Sequence, residues 1–404
     1  MQPELAVGLP AAGAAATVML RPRPRVALAA GLGLGAAGLA AIVLNDERAS
    51  NLVGVSLSIS PFSRALLIAA AASLAVMVMF APARTERSVL LAWGLAAIAG
   101  MAAVAAAPSL DVVVEIVLAM AILQAATEGK RPIATRLRAP ALAAALLAVT
   151  LLLARAEGPA LLSRFVAVGL VAGLVAAVGL LPYIHEFDPE EATWASPISW
   201  IGFAGPVLAV AILARAGDLV QSAGGVLGAL LIGIGLVNVV WGTLASWRTA
   251  SGASAWHYSF MADWGLVLCG LGVPIVEGRS AAVLVFFGLL LGRLPLYIWS
   301  RQALRERVQT DHPVNLLVAA MLAGAAPFAG FAARVLLLRS ATELFWPLAL
   351  VLAVTLLFWL PSSLRLGRSL GLPKGRQLAG VSITLAINVA IGLYPEPVLR
   401  LAGL

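Results

Sequence analysis

The sequence predicts an all-α, polytopic integral membrane protein with about fourteen transmembrane helices, on three observations. Hydrophobic residues make up 61% of the 404 residues and charged residues only 11%, more apolar surface than a water-soluble fold can hide. Apolar runs of about 16 to 24 residues recur along nearly the whole chain, each long enough to cross a hydrocarbon core of roughly 30 Å. The charges sit in short loops between those runs, and the basic ones favour alternate loops.

Taken in order, residues 4–20 form a marginal first span, interrupted by Pro10, with a segment lying on the membrane surface as the alternative. A signal peptide fits poorly, because no basic stretch precedes the segment and Arg21, Arg23 and Arg25 follow it. Further spans are expected at 26–44, 62–81, 88–107, 109–125, 139–155, 163–183, 195–214, 223–246, 257–275, 280–299, 314–338, 344–363 and 378–394. If each crosses once, the loops of one side collect 17 Lys and Arg and those of the other 8, with Arg293 and Arg334 left inside spans. This bias places loop 126–138 in the cytoplasm and both termini outside, as expected for a multi-pass protein of the cell inner (plasma) membrane. The acidic loop Glu186–Glu191 falls on the cytoplasmic side, which the rule tolerates because acids contribute little.

The stretch Gly324–Leu338, GAAPFAGFAARVLLL, predicts a membrane helix broken partway. Pro327 lacks an amide hydrogen and clashes with the preceding turn, so the carbonyls before it need other partners. Gly324 and Gly330 let neighbouring backbone approach, and Arg334 puts a permanent charge near the break. Discontinuous helices with a charge at the break are where transporters hold ions. The plainer alternative is a proline kink with Arg334 snorkelling to an interface.

Five ionisable side chains fall in spans or near their ends: Glu115, His257, Asp263, Arg293 and Arg334. They are the candidates for a proton path, since ionisable groups in hydrocarbon are costly. Glu115 is either a relay carboxylate or structural glue between helices. Asp263 and Arg293 lie on adjacent spans and are positioned to pair, which also suits a purely structural role. His257 starts its span and reads as an interfacial histidine, and Trp241, Trp247, Trp256, Trp264 and Trp299 read as interfacial anchors. The two lysines, Lys130 and Lys374, both lie in loops. Guanidinium does not release its proton at accessible pH, so Arg293 and Arg334 can hold an anion or polarise water but cannot relay protons.

Other classes are excluded or disfavoured. The excess of 27 Lys+Arg over 19 acids lies in loops and does not point to nucleic acid. A single cysteine, Cys269, rules out an internal disulfide and a cysteine-ligated cluster, and three scattered histidines do not suggest a metal site. No Gly-rich nucleotide loop follows a strand, so no cofactor is expected. No soluble stretch is long enough for a catalytic domain, and the first partner implied is the lipid bilayer itself.

Several segments together resemble the antiporter-like membrane subunits of respiratory complex I, a family that includes Mrp-type cation/proton antiporters and membrane-bound hydrogenase subunits. Ala326–Leu338 is similar to the family's GLPPLAGFxxK pattern in its broken twelfth helix, with Arg334 where lysine or glutamate is usual. His257–Leu268, HYSFMADWGLVL, is similar to AYSSIxxMGLVL at the tenth helix. Ala99–Gln124, with Gly100, Met101 and Glu115, is similar to the fourth and fifth helices and their membrane glutamate. Pro182–Ser199, ending in SPIS, resembles the stretch joining helices seven and eight, and GLYPEPVL resembles the GLYP ending.

The resemblance covers most of the chain from about residue 50 and implies two inverted five-helix repeats, each with one broken helix, at Pro182 and at Pro327–Gly330. It implies N-terminal helices over 1–87, repeats over 88–214 and 223–363, a last helix within 364–404, and proton transfer along a mid-membrane polar axis. The departures are equally specific. The seventh-helix lysine has no counterpart in 163–183, the eighth-helix lysine falls at about Leu208, and DLKR reads SGAS at Ser251–Ser254. The eleventh-helix histidine is lost, and its lysine position falls at about Arg293. The function implied is a non-catalytic membrane-arm subunit of a complex I-like (NADH:quinone oxidoreductase-type) or hydrogenase-like assembly, taking part in or bracing proton translocation alongside other membrane subunits. The alternatives are a stand-alone cation/proton antiporter, with Na+ in place of or beside protons, and a purely structural subunit with a degenerate proton path.

Overall fold

The structure is a computed structural model that describes residues 3–44, 50–52, 55–127, 133–156, 160–184, 200–216, 224–306 and 312–404. The chain forms two compact units, 1–186 with 193–226, and 187–192 with 227–404. The loop 186–191, the SPIS stretch and part of the 126–138 loop lie outside the described residues.

In the first unit the helices are α1 (Pro3–Met19), α2 (Pro24–Val43), α3 (Pro61–Phe80), α4 (Arg84–Ala106), α5 (Leu110–Thr127), α6 (Ile133–Arg155) and α7 (Ala160–Val178). A π-helical turn, Trp200–Ala204, then runs into α8 (Gly205–Ala216). Prolines open α2 and α3, where a missing amide hydrogen costs nothing, and Ser60 caps α3 by accepting from the Ser63 amide at 3.2 Å. α1 packs along α2 and α4, and α6 along α5 and α7. One departure from the all-α expectation occurs here. Ser50–Leu52 (β1) and Val55–Leu57 (β2) pair antiparallel, with Ser50 opposite Leu57. Strands of three residues show no periodicity for sequence reasoning to detect.

The second unit holds α9 (Gly224–Arg248, from Leu227 on), α10 (Gly252–Gly272), α11 (Val276–Gly288), a π-helical turn at Leu289–Arg293, and α12 (Leu294–Glu306). It continues with α13 (Pro313–Leu322), α14 (Ala329–Leu344), α15 (Trp346–Leu357), α16 (Trp359–Arg368), α17 (Arg376–Leu393) and α18 (Glu396–Leu401). α9 and α10 meet backbone to backbone. A Cβ at Gly228 would lie 2.7 Å from the Gly272 carbonyl, and one at Gly242 2.7 Å from the Tyr258 carbonyl. Small residues at such contacts supply the close van der Waals packing that holds helices together in lipid. Within Val276–Leu304 the most apolar stretch of 18 residues is 94% buried, against 22% for that of Leu137–Arg155, so it forms the centre of its unit.

Each expected span meets one helix or helix pair, with corrections. The 314–338 span is two helices, 280–299 extends over 276–306 through the π turn, and 344–363 is two stretches adjoining at Phe358. Among the described residues, eight helices are long and apolar enough to cross a membrane, and Pro3–Met19, Ser163–Val178, Trp200–Ala216 and Pro313–Leu322 are shorter apolar helices. Three tryptophans expected as interfacial anchors are core residues. Trp256 and Trp264 are fully buried and Trp299 nearly so, with Trp256 against Tyr297 at 5.9 Å and Trp264 edge-on to Phe286 at 5.1 Å. Trp241 and Trp247 are exposed.

A charged site at the helix break of the second unit

α13 stops at Leu322 and α14 starts at Ala329. Gly324 between them has φ 66°, a left-handed conformation that favours glycine. Pro327 follows a cis peptide bond and cannot extend the helix. A helix that ends inside apolar protein leaves its last carbonyls without partners. Two guanidinium groups supply the donors: Arg293 Nη2 donates to the Leu322 carbonyl at 3.3 Å, and Arg334 Nη1 donates to the Ala323 carbonyl. Cations at a helix C-terminus also complement its dipole.

The two arginines arrive from different elements. Arg293 closes the π turn after α11, a local widening that changes which side chains face the centre. Asn388 on α17 supports that turn, its amide donating to the Leu291 carbonyl at 3.5 Å and to the Thr384 carbonyl at 2.9 Å. Arg334 comes from early α14, and its guanidinium occupies the space where a Cβ at Gly324 would lie. Gly330 brings α14 against the break: a Cβ there would sit 3.1 Å from the Gly324 Cα.

Asp263, on α10, provides the counter-charge. Its Oδ2 pairs with Arg293 Nε, and its Oδ1 lies 3.4 Å from Arg293 Nη2. Asp263 is 7% exposed and Arg293 4%. Both guanidinium groups also sit against the ring of Trp359, on α16, with Cζ of Arg334 at 4.8 Å and of Arg293 at 6.0 Å from its centroid. Asp263, Arg293, Arg334 and Asn388 line a cavity of about 40 Å³ that reaches Gly288.

Three of the five ionisable candidates therefore share one site. His257 lies on the same helix as Asp263 and is buried, edge-on to Tyr258 at 5.7 Å, away from the residues lining the cavity. Glu115 belongs to the first unit, where its side chain is exposed on α5. Pro182 follows the end of α7 at Val178, after Gly179 at φ 89°, and its peptide bond is cis. There the Ala177 carbonyl accepts from the Trp200 indole at 2.9 Å. Sequence reasoning missed Trp359 and Asn388. A lone asparagine within the apolar run of α17 is a signal that would have found the second; Trp359 passes for one more interfacial tryptophan.

This is a two-unit helical membrane protein whose second unit places a buried ion cluster at a helix break. Solved structures share the fold. A chain of the Mrp complex from Dietzia sp. matches 99% of this chain at a TM-score of 0.80 and 16% identity; the chain spans 51% of that protein's length. A chain of the membrane-bound sulfane sulfur reductase, an archaeal respiratory membrane complex, matches over 98% of this chain and 77% of its own, at a TM-score of 0.77 and 17% identity. A chain of respiratory complex I from Thermus thermophilus matches over 98% of both chains, at a TM-score of 0.70 and 18% identity. The chain thus has the fold of the antiporter-like membrane subunits. No family model and no curated protein matches the sequence.

Proposed function

We propose that the chain is a membrane-arm subunit of a complex I-like assembly in the cell inner membrane, crossing about fourteen times as two inverted five-helix repeats. The observation that carries this reading is the fold, shared along 98% of a complex I chain. In this subunit the second repeat braces proton translocation and does not relay protons itself. The site at the break is built from guanidinium groups, which hold their protons, and a carboxylate engaged by one of them. Its arginines are committed to the carbonyls of a helix end, which suits a fixed electrostatic element.

Glu115 favours a subunit over a stand-alone antiporter. A carboxylate exposed on an apolar helix costs about 2.5–3.5 kcal/mol in hydrocarbon on insertion scales, and a neighbouring subunit covering α5 relieves that cost. Purification of the tagged chain from native membranes tests the proposal. Foreign membrane subunits should co-purify in fixed ratio, and a homo-oligomer alone would favour the antiporter. In the intact assembly, Glu115→Gln should lower proton-coupled turnover several-fold without changing subunit abundance. Unchanged turnover would assign Glu115 a structural role.

A further inference from the structure

In the second unit α9 meets α16 closely but leaves a gap beside α15. At the C-terminal end of α9 the Ser246 and Ser362 hydroxyls lie 2.6 Å apart. Arg365, on α16, donates to the Trp247 carbonyl at 3.1 Å and to the Ala250 carbonyl at 3.0 Å, a cation placed where a helix end needs donors. Towards the middle of α9 a groove of about 370 Å³ opens. Its walls are Val240 and Leu244 of α9, Val351 and Val354 of α15, and Phe358 where α15 adjoins α16. No charged residue lines it, and Leu244, Val351, Val354 and Phe358 are all exposed.

The groove leads to a basic mouth. The Trp247 ring packs on Phe358 with centroids 6.1 Å apart, and the Arg248 guanidinium lies over the Trp247 ring at 5.1 Å. Arg248 is exposed, and the sequence has no acidic residue between Leu227 and Trp256 or between Phe345 and Leu393. We infer that the groove takes one acyl chain of an anionic phospholipid, with its phosphate on Arg248 beside Trp247. The space selects a slender occupant: a helix about 10–12 Å across would fill it in less than one turn, whereas a single alkyl chain can enter. The mouth selects the head group, because basic pockets between membrane helices bind anionic lipids and tryptophan marks the head-group level. Lipid tails are as apolar as the groove itself, so the arginine end supplies the preference. This inference needs only that the second unit lies in a bilayer, and does not rest on the subunit proposal.

The test titrates the full chain, purified in detergent, with phosphatidylglycerol or phosphatidylcholine of identical acyl chains, and counts bound lipids by native mass spectrometry. One phosphatidylglycerol should bind saturably and about fivefold more tightly than phosphatidylcholine, the factor one arginine near a lipid surface supplies. Arg248→Gln should bring the two lipids to equal affinity. Val354→Trp, which fills the groove from an exposed position, should weaken both several-fold. Equal affinity of the unaltered chain for the two lipids, or full binding by Val354→Trp, would overturn the inference. So would an electron cryo-microscopy map of the membrane-extracted protein in which a protein helix covers the groove. If either variant fails to fold, the comparison of the two lipids on the unaltered chain decides alone.

Discussion

Two helix ends inside apolar segments, after Val178 and after Leu322, are satisfied with different chemistry. Both ends are followed by a glycine in the left-handed region, Gly179 and Gly324, and then by a proline. At the first, the Ala177 carbonyl accepts from a neutral indole, that of Trp200. At the second, two carbonyls accept from guanidinium groups, with Asp263 held alongside. Among the described residues, the buried polar ones of the first unit are Thr17, Ser63, Ser73, Ser88 and Thr150, all neutral, whereas His257, Asp263, Arg293 and Arg301 are buried in the second. The same backbone solution thus serves with or without charge. Charge at a break is an added feature and not a requirement of breaking the helix.

The difference is sharpest under substitution. Asp263→Ala leaves the buried Arg293 and the part-buried Arg334 without their counter-charge and should cost about 3–5 kcal/mol, seen as loss of folded protein or a large drop in thermal midpoint. The first unit has no such position among its described residues. Removing the capping donor at each break compares the two directly. Arg334→Met deletes a charged hydrogen bond and should cost about 1.5–3 kcal/mol, while Trp200→Phe deletes a neutral one and should cost about 0.5–1.5 kcal/mol. Thermal unfolding of both variants side by side checks the order, and equal losses would remove the distinction drawn here. Gly324→Ala should cost at least about 1–2 kcal/mol, because a non-glycine residue is strained at φ 66°, and its Cβ would also displace the Arg334 guanidinium.

Much of this was legible in the sequence. Helix positions followed from apolar runs and from the loops between them, since length and composition decide what can cross a membrane. The break at 323–328 was readable from Pro327 and from Arg334, a charge that needs somewhere to go. Pairing of Asp263 with Arg293 was suggested by their places on adjacent spans. The rest depended on three-dimensional contacts without periodic or local signals. The π turn that aims Arg293 arises within LLLGR, a run that reads as ordinary helix. The burial of Trp256, Trp264 and Trp299 depends on which helices surround α10 and α12. Glu115 was expected to matter because it is charged within an apolar helix, but nothing in its neighbours along the chain says that its side chain is exposed.

The central claim is that the second unit carries a fixed charge cluster and not a proton relay. Asp263→Asn combined with Arg293→Gln tests it most directly, because the pair becomes neutral while the glutamine amide keeps a donor for the Leu322 carbonyl. Proton translocation per electron pair should be measured in the assembled complex, with subunit abundance as the control. Coupling retained near the unaltered level is the expected result, and coupling lost in an intact complex would contradict the claim and assign the cluster to the proton route.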